Sequence, residues 1–240
     1  MPYAVVVDWI GPFSTVRDLR DWTTDQDLRY YNSLYMAIGS RPRQTKSELQ
    51  YVGITGSLWT RFNKKHPINA LLKKSSLQLY VGFVASQGVA GRKAGHHHKK
   101  FPVAVNLAES ALAFLLELPL NKDKRCAVPA DSIVLTNRWW KTDNQTRRRN
   151  RPVKAWPDYL DFEWGDDARG LDSTAQLVWF GRRGRRIIRG DGVEAIIERA
   201  RAAKAKQRRT SEVGGIDEAR LEEELMKADA AAAPTITAGA

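Results

Sequence analysis

The sequence predicts an α/β fold from the order in which strand-like and helix-like segments follow one another. Short runs rich in β-branched and aromatic residues alternate with longer segments whose apolar residues suit helices. Hydrophobic residues make up 42% of the 240-residue chain, which is enough for a substantial core. We therefore expect one main folded domain with sizeable additions.

The strand signals are runs of valine, isoleucine, threonine and aromatic residues bounded by turn residues. They predict strands at residues 3–9, 32–38, 49–55, 77–84 and 132–140. The connection between the second and third of these strands is polar, which indicates an antiparallel pair. Gly11 and Pro12 are expected to end the first strand.

Helix signals lie between these strands. A helix is expected to begin at Ser14 or Thr15 and to run to about Trp22, and Ser57 is expected to cap another. The strongest signal covers residues 103–118, which are apolar on nearly every side and are followed by a proline. A helix of that composition is normally buried.

The composition changes after about residue 141, where arginine becomes frequent. We expect a core domain over residues 1–145, a basic β-rich accessory region over 146–190, and a helical, partly disordered tail over 191–240. Strands are predicted in the accessory region at 158–164, 175–180 and 185–189, and helices in the tail at 192–208 and 216–229.

The net charge of +12 favours a polyanionic partner, and nucleic acid is the expected one. A membrane is not expected, because no apolar run approaches the roughly 20 residues that a span needs. No secretory signal is recognised, and the single cysteine, Cys126, excludes an internal disulfide. We therefore expect a cytoplasmic protein, associated with the nucleoid if it is bacterial.

Glu109 lies on the same face of the predicted 103–118 helix as Leu112 and Leu116. A carboxylate in such apolar surroundings is costly unless it has a partner. A basic side chain or a metal ion would each serve, and the residues alone leave both open.

Three other residue types suit phosphate chemistry. Arg61, ten residues after Tyr51, is of the type that holds a phosphate through two hydrogen bonds. Tyr35 and Tyr51 fall in neighbouring predicted strands, where tyrosine usually packs. Near a cation, however, a phenol can help to deprotonate water. Gly53 would leave room for a close approach.

The order of these residues resembles the GIY-YIG nuclease family. Ser33-Leu34-Tyr35 matches its first triplet and Tyr51-Val52-Gly53 its second, and Arg61, Glu109 and Asn121 stand at its later motif positions. The resemblance covers about residues 33 to 121. It implies a small antiparallel sheet of three or more strands flanked by helices.

The resemblance also implies a DNA endonuclease that uses one Mg²⁺, with Mn²⁺ as a possible substitute. Glu109 would bind the metal, Arg61 the scissile phosphate, and Asn121 would fix the local geometry. Tyr35 would be the general base and Tyr51 would orient water, although these two roles could be exchanged. His66, five residues after Arg61, is a further candidate base or water-orienting group.

The expected substrate is double-stranded or branched DNA, and RNA is not excluded. Two alternatives stay open, a catalytically inactive nucleic-acid-binding protein of the same fold and an RNA-directed nuclease. The sequence does not indicate an oligomeric state. The arginines expected to contact phosphates are Arg147, Arg148, Arg149, Arg151, Arg182, Arg183, Arg185 and Arg186.

Overall fold

A computed structural model of the chain describes residues 2–29, 31–40, 45–62, 66, 68, 77–85, 103–166, 172–181, 184–188, 192–202 and 205. Residues 1–198 form one compact unit and residues 199–240 form a second. In the second unit, residues 199–202 and 205 are described and are helical. The predicted helix at 216–229, the predicted disordered end, Arg182 and Arg183 lie outside the described residues.

Eight strands are found in the described part of the first unit. They are β1 (Tyr3–Phe13), β2 (Ser33–Gly39), β3 (Glu48–Thr55), β4 (Gln78–Val84), β5 (Ile133–Trp140), β6 (Tyr159–Glu163), β7 (Thr174–Trp179) and β8 (Gly184–Ile188). These strands form one sheet in the order β3-β2-β4-β1-β5-β6-β7-β8. The α/β class is thereby confirmed.

The sheet is mixed and has eight strands among the described residues, so the expectation of a small antiparallel sheet is wrong. All neighbouring strands pair antiparallel except β1 and β5, which run parallel over eight paired positions from Tyr3–Ile133 to Ile10–Trp140. Strands β6 to β8 then continue the same sheet beyond β5. The predicted antiparallel pair, β2 with β3, is confirmed.

Strand β1 does not end at Gly11 as expected. The register shifts between Ile10 and Phe13, and the strand then resumes pairing with β4. A bulge of this kind accommodates a proline, which cannot donate a hydrogen bond to a neighbouring strand. Gly11 adopts a φ of 153°, and a Cβ there would lie 2.7 Å from a ring carbon of Tyr80.

Among the described residues, three helices with given bounds and one 3₁₀ turn lie between the strands of this unit. Helix α1 (Val16–Asp25) begins with a capping box in which the Thr15 hydroxyl accepts from the Asp18 N–H. Helix α2 (Leu58–Arg61) has Ser57 at its N-cap position, although that hydroxyl makes no capping hydrogen bond. The third is α3 (Val103–Leu115), which is shorter than predicted, and the 3₁₀ turn covers Lys124–Cys126.

The core lies on both faces of the sheet. On β2, Leu34 and Met36 pack on the face that α3 covers, whereas Tyr35 packs on the face that α1 and α2 cover. This division follows from the period-two alternation of side chains along a strand. It places α3 and the two tyrosines on opposite faces. None of the described helices is long and apolar enough to cross a membrane.

Candidate functional site

Strand β3 forms one edge of the sheet, and the side chain of Asn121 pairs with that edge. The Val52 N–H donates to Asn121 Oδ1 at 2.9 Å, and Asn121 Nδ2 donates to the Val52 carbonyl at 2.6 Å. Next to this pair, the Leu120 N–H donates to the Gln50 carbonyl at 3.0 Å. Residues 120 and 121 therefore pair with backbone N–H and carbonyl groups of β3 that would otherwise be free to pair with another strand.

Replacing Asn121 with leucine should destabilise the fold by about 2–3 kcal/mol, because the Val52 N–H and carbonyl would both stay buried without partners. The side chain keeps a similar size, so the loss reports the hydrogen bonds rather than a cavity. Urea unfolding measures it. Asn150→Leu, at an exposed position, is the matched control. A loss no larger than that of the control would contradict the role assigned to Asn121.

Glu109 of α3 reaches the same edge from the other side. Its side chain is buried, with the residue 5% exposed, and it accepts a hydrogen bond from the backbone of Ile54. Its carboxylate also forms an ion pair with the ammonium group of Lys124. Burial raises the pKa of the Glu109 carboxyl above its ordinary value, although Lys124, Arg61 and the Ile54 N–H all oppose that shift.

Lys124 is the residue that the sequence reasoning missed. It lies on the 3₁₀ turn fifteen positions after Glu109, where no helical or strand periodicity links the two residues. Of the two kinds of partner that the residues left open for Glu109, the described structure shows the basic side chain. The one available signal was that lysine and arginine occur just after the asparagine motif.

The two tyrosines stack on each other over a glycine. The ring centroids of Tyr35 and Tyr51 lie 5.8 Å apart with an interplanar angle of 30°. A Cβ at Gly53 would overlap the Tyr35 hydroxyl and lie 2.8 Å from Cε1 of Tyr51. Since Gly53 pairs directly with Tyr35 across β2 and β3, only a glycine leaves room for this ring arrangement.

The Tyr35 hydroxyl is the centre of a hydrogen-bond network. Arg61 Nε donates to it at 2.9 Å, and His66 Nε2 lies 3.0 Å from it. The Ile68 N–H donates to His66 Nδ1 at 3.3 Å, which places the proton of the neutral imidazole on Nε2. His66 Nε2 therefore also donates to the Tyr35 hydroxyl oxygen. Tyr35 hydrogen-bonds to Tyr51 as well, and it is the Tyr35 hydroxyl that donates in this bond.

The network carries a single positive charge at neutral pH. Burial, followed by the neighbouring Tyr51, raises the pKa of Tyr35, although Arg61 opposes the shift. Burial together with the Arg61 charge lowers the pKa of His66 to about 4. Tyr35 is thus a protonated phenol and His66 a neutral imidazole, while the Arg61 guanidinium carries the charge.

The lowered pKa of His66 predicts that the fold loses stability as the pH falls. The unfolded chain binds a proton near pH 6.5 and the folded chain only near pH 4, so stability is complete above pH 6.5 and declines below it. The loss between pH 7.5 and pH 5 should be about 2 kcal/mol from this residue. Urea unfolding of the wild type and of His66→Phe, which cannot titrate, measures it. An equal loss in both proteins would contradict the assignment.

The site therefore joins two groups of predicted residues. Tyr35, Tyr51, Arg61 and His66 meet on one face of the sheet, and the Arg61 charge acts on Glu109 at the edge of β3. The arginines at 147, 148, 149 and 151 are not part of this group. They line a separate cleft near the ends of β5 and β7, whereas Arg185 and Arg186 belong to β8.

The described residues contain no group of three or more His, Cys, Asp or Glu that would hold a metal ion between them. Glu109 is thus a lone carboxylate, with oxygen atoms that suit a hard cation. Comparisons of the chain with protein-family models, with curated proteins and with solved structures found no match.

Proposed function

We propose that the protein is a metal-dependent endonuclease that hydrolyses DNA phosphodiester bonds. The observation that carries the proposal is the position of Arg61. Its guanidinium is hydrogen-bonded to Tyr35 and Tyr51, and its charge acts on the buried carboxylate of Glu109. An arginine, two phenols and a carboxylate therefore act on one another near one edge of the sheet, and these are the groups that the proposed reaction needs.

Glu109 would hold the metal, with Mg²⁺ as the expected ion and Mn²⁺ as a substitute. One carboxylate fits Mg²⁺, because this ion usually keeps several waters and takes further ligands from substrate phosphates. When bound, the metal supplies charge stabilisation of the leaving oxygen and of the reacting phosphate. Lys124 would have to leave the carboxylate for the ion to bind there.

Arg61 would bind the scissile phosphate, and its contacts favour Tyr51 rather than Tyr35 as the residue that takes a proton from water. Tyr35 is fully buried and its oxygen already faces two donors, whereas Tyr51 is only partly buried. Hydrogen bonds from Tyr35 and Arg61 would stabilise negative charge on Tyr51. A Tyr51→Phe variant should then lose more activity than Tyr35→Phe, and the reverse order would restore Tyr35 as the base.

One observation favours a non-catalytic alternative. Lys124 already neutralises Glu109, as a structural ion pair would in a nucleic-acid-binding protein that keeps the fold without turnover. An RNA-directed nuclease is the other alternative, since a net charge of +12 does not distinguish DNA from RNA. The experiment therefore has to separate cleavage from binding and DNA from RNA.

Supercoiled plasmid should be incubated with the purified protein in Mg²⁺, in EDTA, and with the Glu109→Ala variant. Branched DNA and a structured RNA of similar length should be tested in parallel. Nicking or linearisation that needs Mg²⁺ and disappears in the variant would support the endonuclease. Glu163→Ala, at an exposed acid on β6, is the matched control and should cleave normally.

Three outcomes would count against the proposal. Cleavage that persists in Glu109→Ala would show that Glu109 is not the metal ligand. Binding without cleavage of plasmid or branched DNA would favour the non-catalytic alternative. Metal-dependent cleavage of RNA alone would favour the RNA-directed nuclease.

A further inference from the structure

A cleft of about 900 Å³ lies apart from the tyrosine and arginine network. Its walls come from the C-terminal half of β5, the segment 147–154 and the end of β7 with the residues just after it. This volume is at the upper end of the range for pockets that hold small organic molecules. A volume of this size is large enough for a few nucleotides of a single strand.

Three positive charges in the cleft are available to a ligand. Arg147, Arg149 and Lys154 are exposed, and in the part of the chain that the structure describes their side chains have no hydrogen bond or ion pair. The other arginines there are engaged within the fold. Arg138 makes two hydrogen bonds to Asp8 at 2.7 and 2.8 Å, and Arg148 donates to a backbone carbonyl at 3.0 Å.

An exposed aromatic ring stands beside these charges. The Phe180 side chain is exposed, with the residue 59% exposed. Its backbone carbonyl and N–H, however, each form a hydrogen bond with one member of an ion pair. Arg151 Nη2 donates to the Phe180 carbonyl at 2.7 Å, and the Phe180 N–H donates to Asp158 Oδ2 at 2.6 Å. Arg151 Nη2 and Asp158 Oδ2, the two members of the ion pair, lie 2.5 Å apart. A ring on a fixed backbone can stack on a base with little loss of conformational entropy.

Two tryptophans, Trp139 and Trp179, also line the cleft, but their indole N–H groups are buried and closed to solvent. The cleft therefore offers a ligand exposed positive charge and one exposed ring. A phosphodiester chain carries the negative charge that the free cations need, and its bases can stack on the ring.

We propose that this cleft binds a short single-stranded segment of DNA, with phosphates on Arg147, Arg149 and Lys154 and a base stacked on Phe180. The choice of DNA as the polymer rests on the proposed function. The binding groups do not, because none of them belongs to the Glu109 or Tyr35 network. A nuclease with this second site would favour substrates in which a single strand leaves a duplex, as in branched DNA.

Fluorescence anisotropy with a labelled 12-mer of deoxythymidine, in EDTA and over a range of KCl concentrations, tests the proposal. The Phe180→Ala variant should bind the single strand at least fivefold more weakly and a 12-base-pair duplex as well as the wild type does. The double variant Arg147→Ala/Arg149→Ala should also weaken single-strand binding. Its salt dependence should fall by about 1.4 in slope, roughly 0.7 for each lost phosphate contact.

The matched controls are Arg17→Ala/Arg29→Ala, which removes two exposed charges outside the cleft, and Tyr3→Ala, which removes another exposed ring. Both should bind the single strand like the wild type. The proposal would be overturned if Phe180→Ala weakened duplex and single strand equally, or if the control charges mattered as much. Because EDTA prevents metal-dependent cleavage, failure here would leave the endonuclease proposal intact, and absence of plasmid cleavage would leave this one intact.

Discussion

A Lys124→Met variant should lose about 3 kcal/mol of folding free energy in EDTA, because it leaves the buried Glu109 carboxylate without its cation. The estimate lies at the low end for a broken buried pair, since the Lys124 side chain is 39% exposed and solvent screens part of its charge. Methionine keeps the length of the apolar stem, so packing changes little. Urea unfolding at pH 8, where the carboxyl is ionised in the unfolded chain, measures the loss.

Added Mg²⁺ should stabilise Lys124→Met more than it stabilises the wild type. In the wild type the ion would have to displace Lys124 from Glu109, whereas in the variant the carboxylate would be open to it. A ligand stabilises the folded state more when it binds more tightly. The difference is measured as the shift in unfolding midpoint between EDTA and Mg²⁺. This comparison reports metal binding at Glu109 without any cleavage assay.

Two variants control the experiment. Lys122→Met removes an exposed charge two positions away and should have little effect in either condition. Adding Glu109→Gln to Lys124→Met should restore much of the lost stability and abolish the extra response to Mg²⁺, because no buried carboxylate remains. If Lys124→Met were as stable as Lys122→Met in EDTA, the ion pair would not hold the fold together. A Mg²⁺ response that survived Glu109→Gln would place the metal elsewhere.

The strand positions could be predicted because each strand carries a local signal. The segments at 32–38 and 49–55 were expected from their apolar and aromatic residues, and β2 and β3 fall within one residue of them. The parallel pairing of β1 with β5 joins residues more than 120 positions apart, from Tyr3 with Ile133 onwards. No local pattern encodes such a pairing, which depends on how whole segments pack together. The continuation of β1 past Pro12 was missed for the same reason, since the bulge depends on its partner β4.

The candidate site could be predicted only in part. Tyr35, Tyr51 and Arg61 were selected by residue type and spacing, and the register of β2 with β3 brings them together. The direction of hydrogen bonding at Tyr35 could not be predicted, because it depends on the Ile68 N–H, which fixes the protonated nitrogen of His66. Lys124 was missed because its contact with Glu109 depends on where the 3₁₀ turn folds back against α3.

Under the proposed mechanism, replacing Arg61 with lysine should reduce DNA cleavage by about 10² to 10³-fold. The guanidinium uses Nε to donate to Tyr35 and another N–H group for Tyr51. In the proposed mechanism its remaining N–H groups hold the substrate phosphate. An ammonium group keeps the charge but not the planar set of donors, so it cannot orient both phenols and hold a phosphate through two bonds. Single-turnover cleavage at saturating Mg²⁺ measures the chemical step, and anisotropy in EDTA measures binding.

Binding should change much less than cleavage, because the positive charge remains and attraction to phosphates does not depend on donor geometry. Arg20→Lys is the matched control, since Arg20 lies close by, donates to the Phe62 carbonyl at 3.3 Å and makes no described contact with either tyrosine. Its cleavage rate should stay within a few-fold of the wild type. Equal losses in both variants would mean that arginine supports the local fold rather than the reaction, and normal cleavage by Arg61→Lys would remove Arg61 from the proposed mechanism. A drop in cleavage confined to Arg61→Lys, with binding retained, would tie the orientation of the two phenols to the chemical step.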